Sequence, residues 1–285
     1  MSRIAYVNGR YVPHGRAMVH IEDRGYQFAD GVYEVCEIWN SRIVDQTRHL
    51  DRLERSLREI EIAMPVTRKA IAVILREVVR RNRVHYGLVY LQVTRGVARR
   101  DHPFPPPGTP PALVVTAKST RRSANDALAE VGVSVITMPD NRWERVDIKT
   151  VGLLPNAIAR QRAKEQGARE AWFVDDDGFV TEGAATTAWI VTRDGVLVTR
   201  PDGTGILPGI TRRTAMEVAA SEGLKVEERK FSVQEAQQAR EVFMTAASTV
   251  VMPIVQIDGH PVANGAPGSV ALRLRSNFHK IAELT

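Results

Sequence analysis

The sequence predicts an α/β (α+β) protein of two domains, and three observations carry that expectation. A chain of 285 residues is long enough for two ordinary domains. Strand and helix patterns alternate over its first part, whereas strands dominate from Glu170 onward. A short polar, basic stretch between them, 119–126, reads as a linker. The expected division is a small N-terminal α/β domain over 1–118, the linker over 119–126, and a larger C-terminal domain over 127–285. With 44% hydrophobic and 25% charged residues, such a chain can bury a full core.

The elements follow in order. Residues 4–12 read as a hairpin, because Asn8-Gly9 is the two-residue type I′ signal between β-prone residues. Residues 22–35 open as a loop and close as a strand reaching Trp39, with Tyr33 and Val35 on one face and Glu34 on the other. A helix over 47–62 carries the stripe Leu50, Leu53, Leu57 and Ile60, with Arg52 and Arg55 beside it. Thr67 caps a second helix over 67–84. Strands are expected over 88–94 and 112–116, joined by a proline-rich loop containing Arg99-Arg100-Asp101-His102. Past the linker come a strand over 131–137 and a helix over 155–167. A meander of strands is expected over 171–198. A helix entered at 207–211 runs to 222, and a strand covers 225–230. Ser232 and Glu235 form a capping box. Strands over 242–245 and 250–257 and a C-terminal helix close the chain.

Composition narrows the function. The single cysteine, Cys36, rules out a disulfide within the chain. The N-terminal stretch lacks the apolar run of a secretion signal and no stretch approaches transmembrane length, so a cytoplasmic protein without membrane partner is expected. The formal charge of +6 allows a nucleic-acid partner. The basic pairs are scattered among glutamates, however, and no recognition motif accompanies them. No nucleic acid is therefore expected; anion-binding arginines suit the charge as well.

Four features point to chemistry. Within 142–150, polar and apolar residues alternate up to Lys149, which would deliver one amine from a strand end into a mostly apolar site. Burial lowers a lysine pKa and makes it a Schiff-base nucleophile; a surface lysine at a strand end is the competing reading. Thr181-Glu182-Gly183 ends a strand with a carboxylate that could hold a protonated ring nitrogen, or simply face solvent. The loop 205–211 opens a helix whose first N–H groups, at Ile210 and Thr211, could bind phosphate. Arg52 could add a charge-assisted bond to the same phosphate, or be a solvated helix arginine.

The order Asp30-Gly31-Val32-Tyr33-Glu34, Arg52, Lys149, Thr181-Glu182-Gly183, Gly209-Ile210-Thr211 resembles that of the fold-type-IV pyridoxal-phosphate enzymes. That family includes D-amino acid transaminases, branched-chain transaminases and aminodeoxychorismate lyase. The resemblance spans essentially the whole chain. Residues 22–28, 92–96 and above all Arg100-Asp101-His102 resemble the D-amino acid branch. The resemblance implies two domains with pyridoxal 5′-phosphate in the cleft between them, and no metal. Lys149 would be the Schiff-base lysine and proton shuttle, and Glu182 would hold the pyridine nitrogen. Arg52 and the backbone at Ile210 and Thr211 would hold the phosphate. Leu207 would pack on the ring, and Arg142 would sit near the phenolic oxygen. Tyr33, Arg100 and His102 would grip the substrate carboxylate beside Val35, with the Arg100 loop crossing from the second subunit of a homodimer. D-Amino acids such as D-alanine and 2-oxo acids such as 2-oxoglutarate are the implied substrates.

One departure stands out. Where the family carries a phosphate-binding hydroxyl, this chain has Thr245-Ala246-Ala247-Ser248. Backbone N–H groups at Ala247, or the hydroxyls of Ser248 or Thr245, are left to replace it. A lost hydrogen bond to a charged group is worth about 1.5–3 kcal/mol, so weaker cofactor retention is expected.

Overall fold

A computed structural model describes residues 3–285. The described residues divide into two compact units. The first takes in those up to Arg121, together with Ile148–Gly152 and Glu283–Thr285. The second takes in Arg122–Asp147 and Leu153–Ala282. The expected linker is therefore not a separate segment. Its first residue ends a strand, and a helix begins at Arg122. Lys149, expected in the C-terminal domain, falls within Ile148–Gly152 and so in the first unit, while the rest of its stretch, up to Asp147, stays in the second.

The first unit contains the strands β1 (Ile4–Val7) and β2 (Arg10–Pro13), the short helix α1 (Arg24–Phe28), and the strands β3 (Gly31–Trp39) and β4 (Arg42–Ile43). The helices α2 (Gln46–Glu59) and α3 (Arg68–Asn82) and the strands β5 (Gly87–Thr94) and β6 (Ala112–Ser119) complete it. They form an antiparallel sheet in the order β2-β1-β6-β5-β3-β4. Asn8 and Gly9 take the positive φ values, 43° and 92°, that a type I′ turn demands. Residues 24–28, expected as loop, are helical because the Asp23 carboxylate caps the Gly25 N–H at 2.8 Å. The stripe of α2 buries Leu50, Leu53 and Leu57 against Val32, Cys36 and Ile38 of β3 and against Ile71 and Leu75 of α3. Each such side chain contributes about 1.5–3 kcal/mol on burial.

The second unit contains α4 (Arg122–Val131), β7 (Val133–Pro139), α5 (Leu154–Glu165), β8 (Glu170–Val174), β9 (Val180–Gly183), β10 (Thr187–Val191) and β11 (Leu197–Thr199). It continues with α6 (Ile210–Ser221), β12 (Val226–Glu228), α7 (Val233–Gln237), β13 (Glu241–Ala246), β14 (Val250–Ile257), β15 (His260–Pro261) and α8 (Ser269–Ile281). Its sheet runs β12-β11-β10-β13-β14-β7-β8-β9, with β15 on β14. The expected meander is two separate hairpins: β8 pairs with β9, but β10 pairs with β11 and β13. Trp189 stacks on Phe243 across that second pairing at 5.4 Å, both fully buried, while Trp172, Met244 and Ile254 belong to another buried cluster of this unit.

Candidate active site

The run before Lys149 is not a strand. Its alternation reflects ion pairs formed across a turn: Arg142 binds Asp140, and Arg145 forks onto Asp147 at 3.0 and 3.1 Å. Lys149 is instead pinned by its backbone to the start of β3. Its carbonyl accepts the Tyr33 N–H at 3.0 Å, and Val151 donates to the Gly31 carbonyl at 3.0 Å. The side chain is half-buried, with Nζ 4.2 Å from the centroid of the Tyr33 ring. An amine in that place is held by a cation–π contact and can reach a carbonyl carbon on the same side. The apolar enclosure expected of it is thus partial, with an aromatic face as its main wall.

On the opposite face of β3, Glu34 is fully buried. Arg52 forks onto it, Nε to Oε1 and Nη2 to Oε2, both at 2.8 Å. His49 Nδ1 lies 2.7 Å from Oε2. Burial raises the Glu34 pKa, but Arg52 and His49 outweigh it and hold the carboxyl at about 2. The arginine assigned to phosphate therefore spends two of its three nitrogens on Glu34. Neither Glu34 nor His49 stood out as functional in the sequence. The signal was available in the spacing of His49 and Arg52, three apart and flanking the apolar stripe of α2.

In the second unit, Glu182 ends β9 almost fully buried. Its Oε1 accepts from Arg142 Nη1 at 2.5 Å and from the Leu207 N–H at 3.2 Å. Arg142 also forks onto Asp140 at 2.8 and 2.7 Å, and Thr181 donates to Asp140 at 2.8 Å. Burial raises the Asp140 pKa, and the Arg142 guanidinium overcomes it and holds the carboxyl below its usual range. Arg142 is thus committed to two carboxylates rather than turned to a phenolic oxygen. Its guanidinium lies against the Glu182 carboxyl, the group that would accept from a protonated ring nitrogen. Leu207 enters the group through its backbone.

The helix α6 begins at Gly209 with no side-chain cap, and the N–H groups of Ile210, Thr211 and Arg212 have no acceptor among the described residues. A Cβ at Gly209 would stand 2.7 Å from Thr187 Oγ1, so only glycine lets the helix start this close to β10. Thr187 pairs with Thr245, which brings the β13–β14 turn to the same end of the sheet. There the N–H groups of Ala247 and Ser248 also have no acceptor among the described residues. Free N–H groups from a helix start and a neighbouring turn form a nest for a phosphate dianion. The two candidate replacement hydroxyls differ in their surroundings. Thr245 is buried and accepts from Trp189 Nε1 at 3.1 Å, and Ser248 is exposed.

The Arg100 loop is exposed. Arg100 lies over the Phe28 ring at 5.2 Å and the His102 ring lies 5.7 Å from it, while Arg24 holds the Asp101 carbonyl at 2.6 Å. Among the described residues, neither side chain hydrogen-bonds to Tyr33 or Lys149. Val35 is half-buried on the Tyr33 face of β3.

The first unit offers an amine beside an aromatic face; the second, taken by itself, offers a carboxylate paired with arginine and free amides at a helix start and a turn; each is a feature that pyridoxal phosphate can use. The chain belongs to the class IV aminotransferase family, whose model matches residues 31–257. It is 36% identical over 279 residues to a D-alanine aminotransferase of Staphylococcus haemolyticus, covering 98% of this chain and 97% of the relative. A D-alanine aminotransferase of Listeria innocua is 38% identical over 272 residues, covering 95% and 93%. Among solved structures, a branched-chain amino acid aminotransferase of T.th. with pyridoxamine 5′-phosphate superposes with a TM-score of 0.89 at 26% identity, covering 98% and 94%. The protein is an aminotransferase of the fold-type-IV architecture, and its cofactor is pyridoxal phosphate.

Proposed function

We propose that this aminotransferase acts on D-amino acids, passing the amino group reversibly to a 2-oxo acid, with D-alanine and 2-oxoglutarate as the reference pair. The observation that carries the donor class is the near full-length identity to two proteins named D-alanine aminotransferase. Branched-chain L-amino acid transfer is the second reading, favoured by the fold neighbour at 26% identity. We take the enzyme to be a cytoplasmic homodimer that needs no metal.

Pyridoxal phosphate, when bound, supplies the electron sink that lets the Cα–H bond of an amino acid break. Everything else falls to the chain. Lys149 Nζ anchors the cofactor and moves the α-proton, and Tyr33 fixes the face on which it does so. Glu182, paired with Arg142, would hold the ring nitrogen, and Leu207 would pack against the ring. The N–H groups of Ile210, Thr211, Ala247 and Ser248 would hold the phosphate, with Arg52 supplying positive charge. Arg100 and His102 would cross into the partner's site and there, with the partner's Tyr33 and the partner's Val35, orient the substrate carboxylate and so select the hand of the donor. The scheme is ping-pong: the donor leaves as its 2-oxo acid before the acceptor binds.

The visible absorption spectrum tests this reading. The purified protein should show a yellow band that D-alanine bleaches and L-leucine does not. Lys149→Ala should lack the band, and Arg100→Ala should keep it but bleach slowly with D-alanine. Bleaching by L-leucine alone would move the function to the branched-chain reading, and light scattering at the monomer mass would remove the shared carboxylate trap.

A further inference from the structure

The β13–β14 turn offers two amides to phosphate yet carries no hydroxyl at Ala246 or Ala247 to fix its shape. It is held from behind. Arg275, on α8, donates through Nη1 to the carbonyls of Thr249 and Val251, at 2.6 and 2.8 Å. Its Nη2 binds Asp126 of α4 at 2.8 Å. Asn125, the residue before it, donates through Nδ2 to the Ser248 carbonyl at 2.9 Å. Three carbonyls of one short segment are therefore taken by side chains of two helices. A peptide carbonyl points opposite to the N–H of the next residue, so the bond to the Ser248 carbonyl fixes the Thr249 N–H, which donates to the Ala246 carbonyl at 3.1 Å and so sets the peptide that carries the Ala247 N–H.

The residue between the two Arg275-bound carbonyls shows that this clamp shapes the chain. Val250 has φ +59°. A β-branched residue is a genuine outlier there and persists only where its surroundings over-determine it. The carbonyl before it and the carbonyl after it are both held by one guanidinium, whose other arm is locked to an aspartate.

We propose that Arg275 and Asn125, with Asp126 behind them, are positioning residues for cofactor phosphate. They hold the turn so that the Ala247 and Ser248 amides stay aimed at it without help from a hydroxyl. Neither side chain needs to touch the cofactor. The inference rests on the reading of this turn as part of the phosphate nest.

The test uses the full-length apoenzyme and two probes, pyridoxal phosphate and pyridoxal, which differ only in the phosphate. Arg275→Met should raise the dissociation constant for pyridoxal phosphate about tenfold, the worth of one charge-assisted hydrogen bond. Asn125→Ala, a half-exposed site where folding is not at risk, should raise it about threefold, as a neutral hydrogen bond would. Pyridoxal binding should be unchanged in both. Equal weakening of both probes would mean that the clamp is merely structural, and unchanged affinity for both would remove it from cofactor binding altogether. Amide hydrogen exchange separates this from the underlying reading. Pyridoxal phosphate should protect the Ala247 and Ser248 amides of the wild-type enzyme. Absence of protection would refute the turn as a phosphate site whatever the variants do. Protection in the wild type with no specific loss in either variant would refute the positioning role alone.

Discussion

At the scale of the residue, Glu34 shows how much a single buried charge can organise. Its carboxyl would be neutral if burial acted alone, yet Arg52 and His49 bring it from 4.5 to about 2. A carboxyl whose folded pKa is depressed contributes stability that is present above about pH 4.5 and is lost as pH falls toward 2. Glu34→Gln leaves Arg52 buried without its counter-charge, which costs about 3–5 kcal/mol. Urea unfolding at neutral pH should show a loss of that size, and the gap from wild type should narrow as pH falls through the same window. A gap that stays constant down to pH 2 would mean that the Glu34 charge is not what stabilises the pair. Alternation along β3 set Glu34 opposite Tyr33, as observed. It could not say which face is buried, because a strand carboxylate ordinarily faces water. The helix α2 decides that, and its contribution becomes visible only when His49 and Arg52 are placed on the same side as Leu53.

At the scale of the element, what the sequence made legible depended on how local the cause was. The periods of α2 and α3 and the Asn8-Gly9 turn follow from neighbours a few residues away, and they stand within three residues of expectation. The pairing of β10 with β13 rather than β9 depends on residues far apart in the chain, and no local period encodes it. The Lys149 segment misled for another reason: alternating charges paired across a turn mimic the alternation of a strand. Helix α8 shows a cap that the sequence hid. No side chain of its own N-cap residue, Gly268, caps it. The buried carboxylate of Glu241 does so from β13, accepting from Val270 at 3.1 and 3.0 Å and from Ala271 at 3.0 Å. A Cβ at Gly268 would fall on the Glu241 side chain. Gly268→Ala should therefore displace that cap and cost about 2 kcal/mol, the sum of a lost helix cap and a partly unsatisfied charge. Because α8 also carries Arg275, the same variant should loosen cofactor binding; equilibrium unfolding and apoenzyme titration together check both effects.

At the scale of the whole molecule, the chain path matters more than the expected linker. The expected break at 119–126 implied two consecutive domains, each complete in itself. The first unit instead takes a strand-like bridge from the middle of the chain, Val32 to Thr150, and its last residues from the C-terminus. Thr285 exchanges backbone hydrogen bonds with Ile43 at 2.8 and 3.0 Å, Asp45 donates to the Glu283 carbonyl at 2.9 Å, and the Glu283 carboxylate accepts from the backbone and hydroxyl of Thr47 at 3.0 and 2.6 Å. These contacts close the start of α2, whose N-cap residue, Asp45, makes no side-chain cap of its own. A fragment ending at Arg121 thus lacks the cap of α2, the bridge to β3 and the backbone anchor of Tyr33. A domain of this size holds only about 5–15 kcal/mol of stability, and each missing backbone hydrogen bond removes about 1 kcal/mol. The fragment is expected to be largely unfolded by circular dichroism and amide dispersion. Removal of residues 283–285 alone should lower the melting temperature by several degrees, since about 2–3 kcal/mol of α2 capping and edge pairing leave with them. A stable, dispersed 1–121 fragment would show instead that the lysine segment and the C-terminus merely rest on a unit already complete.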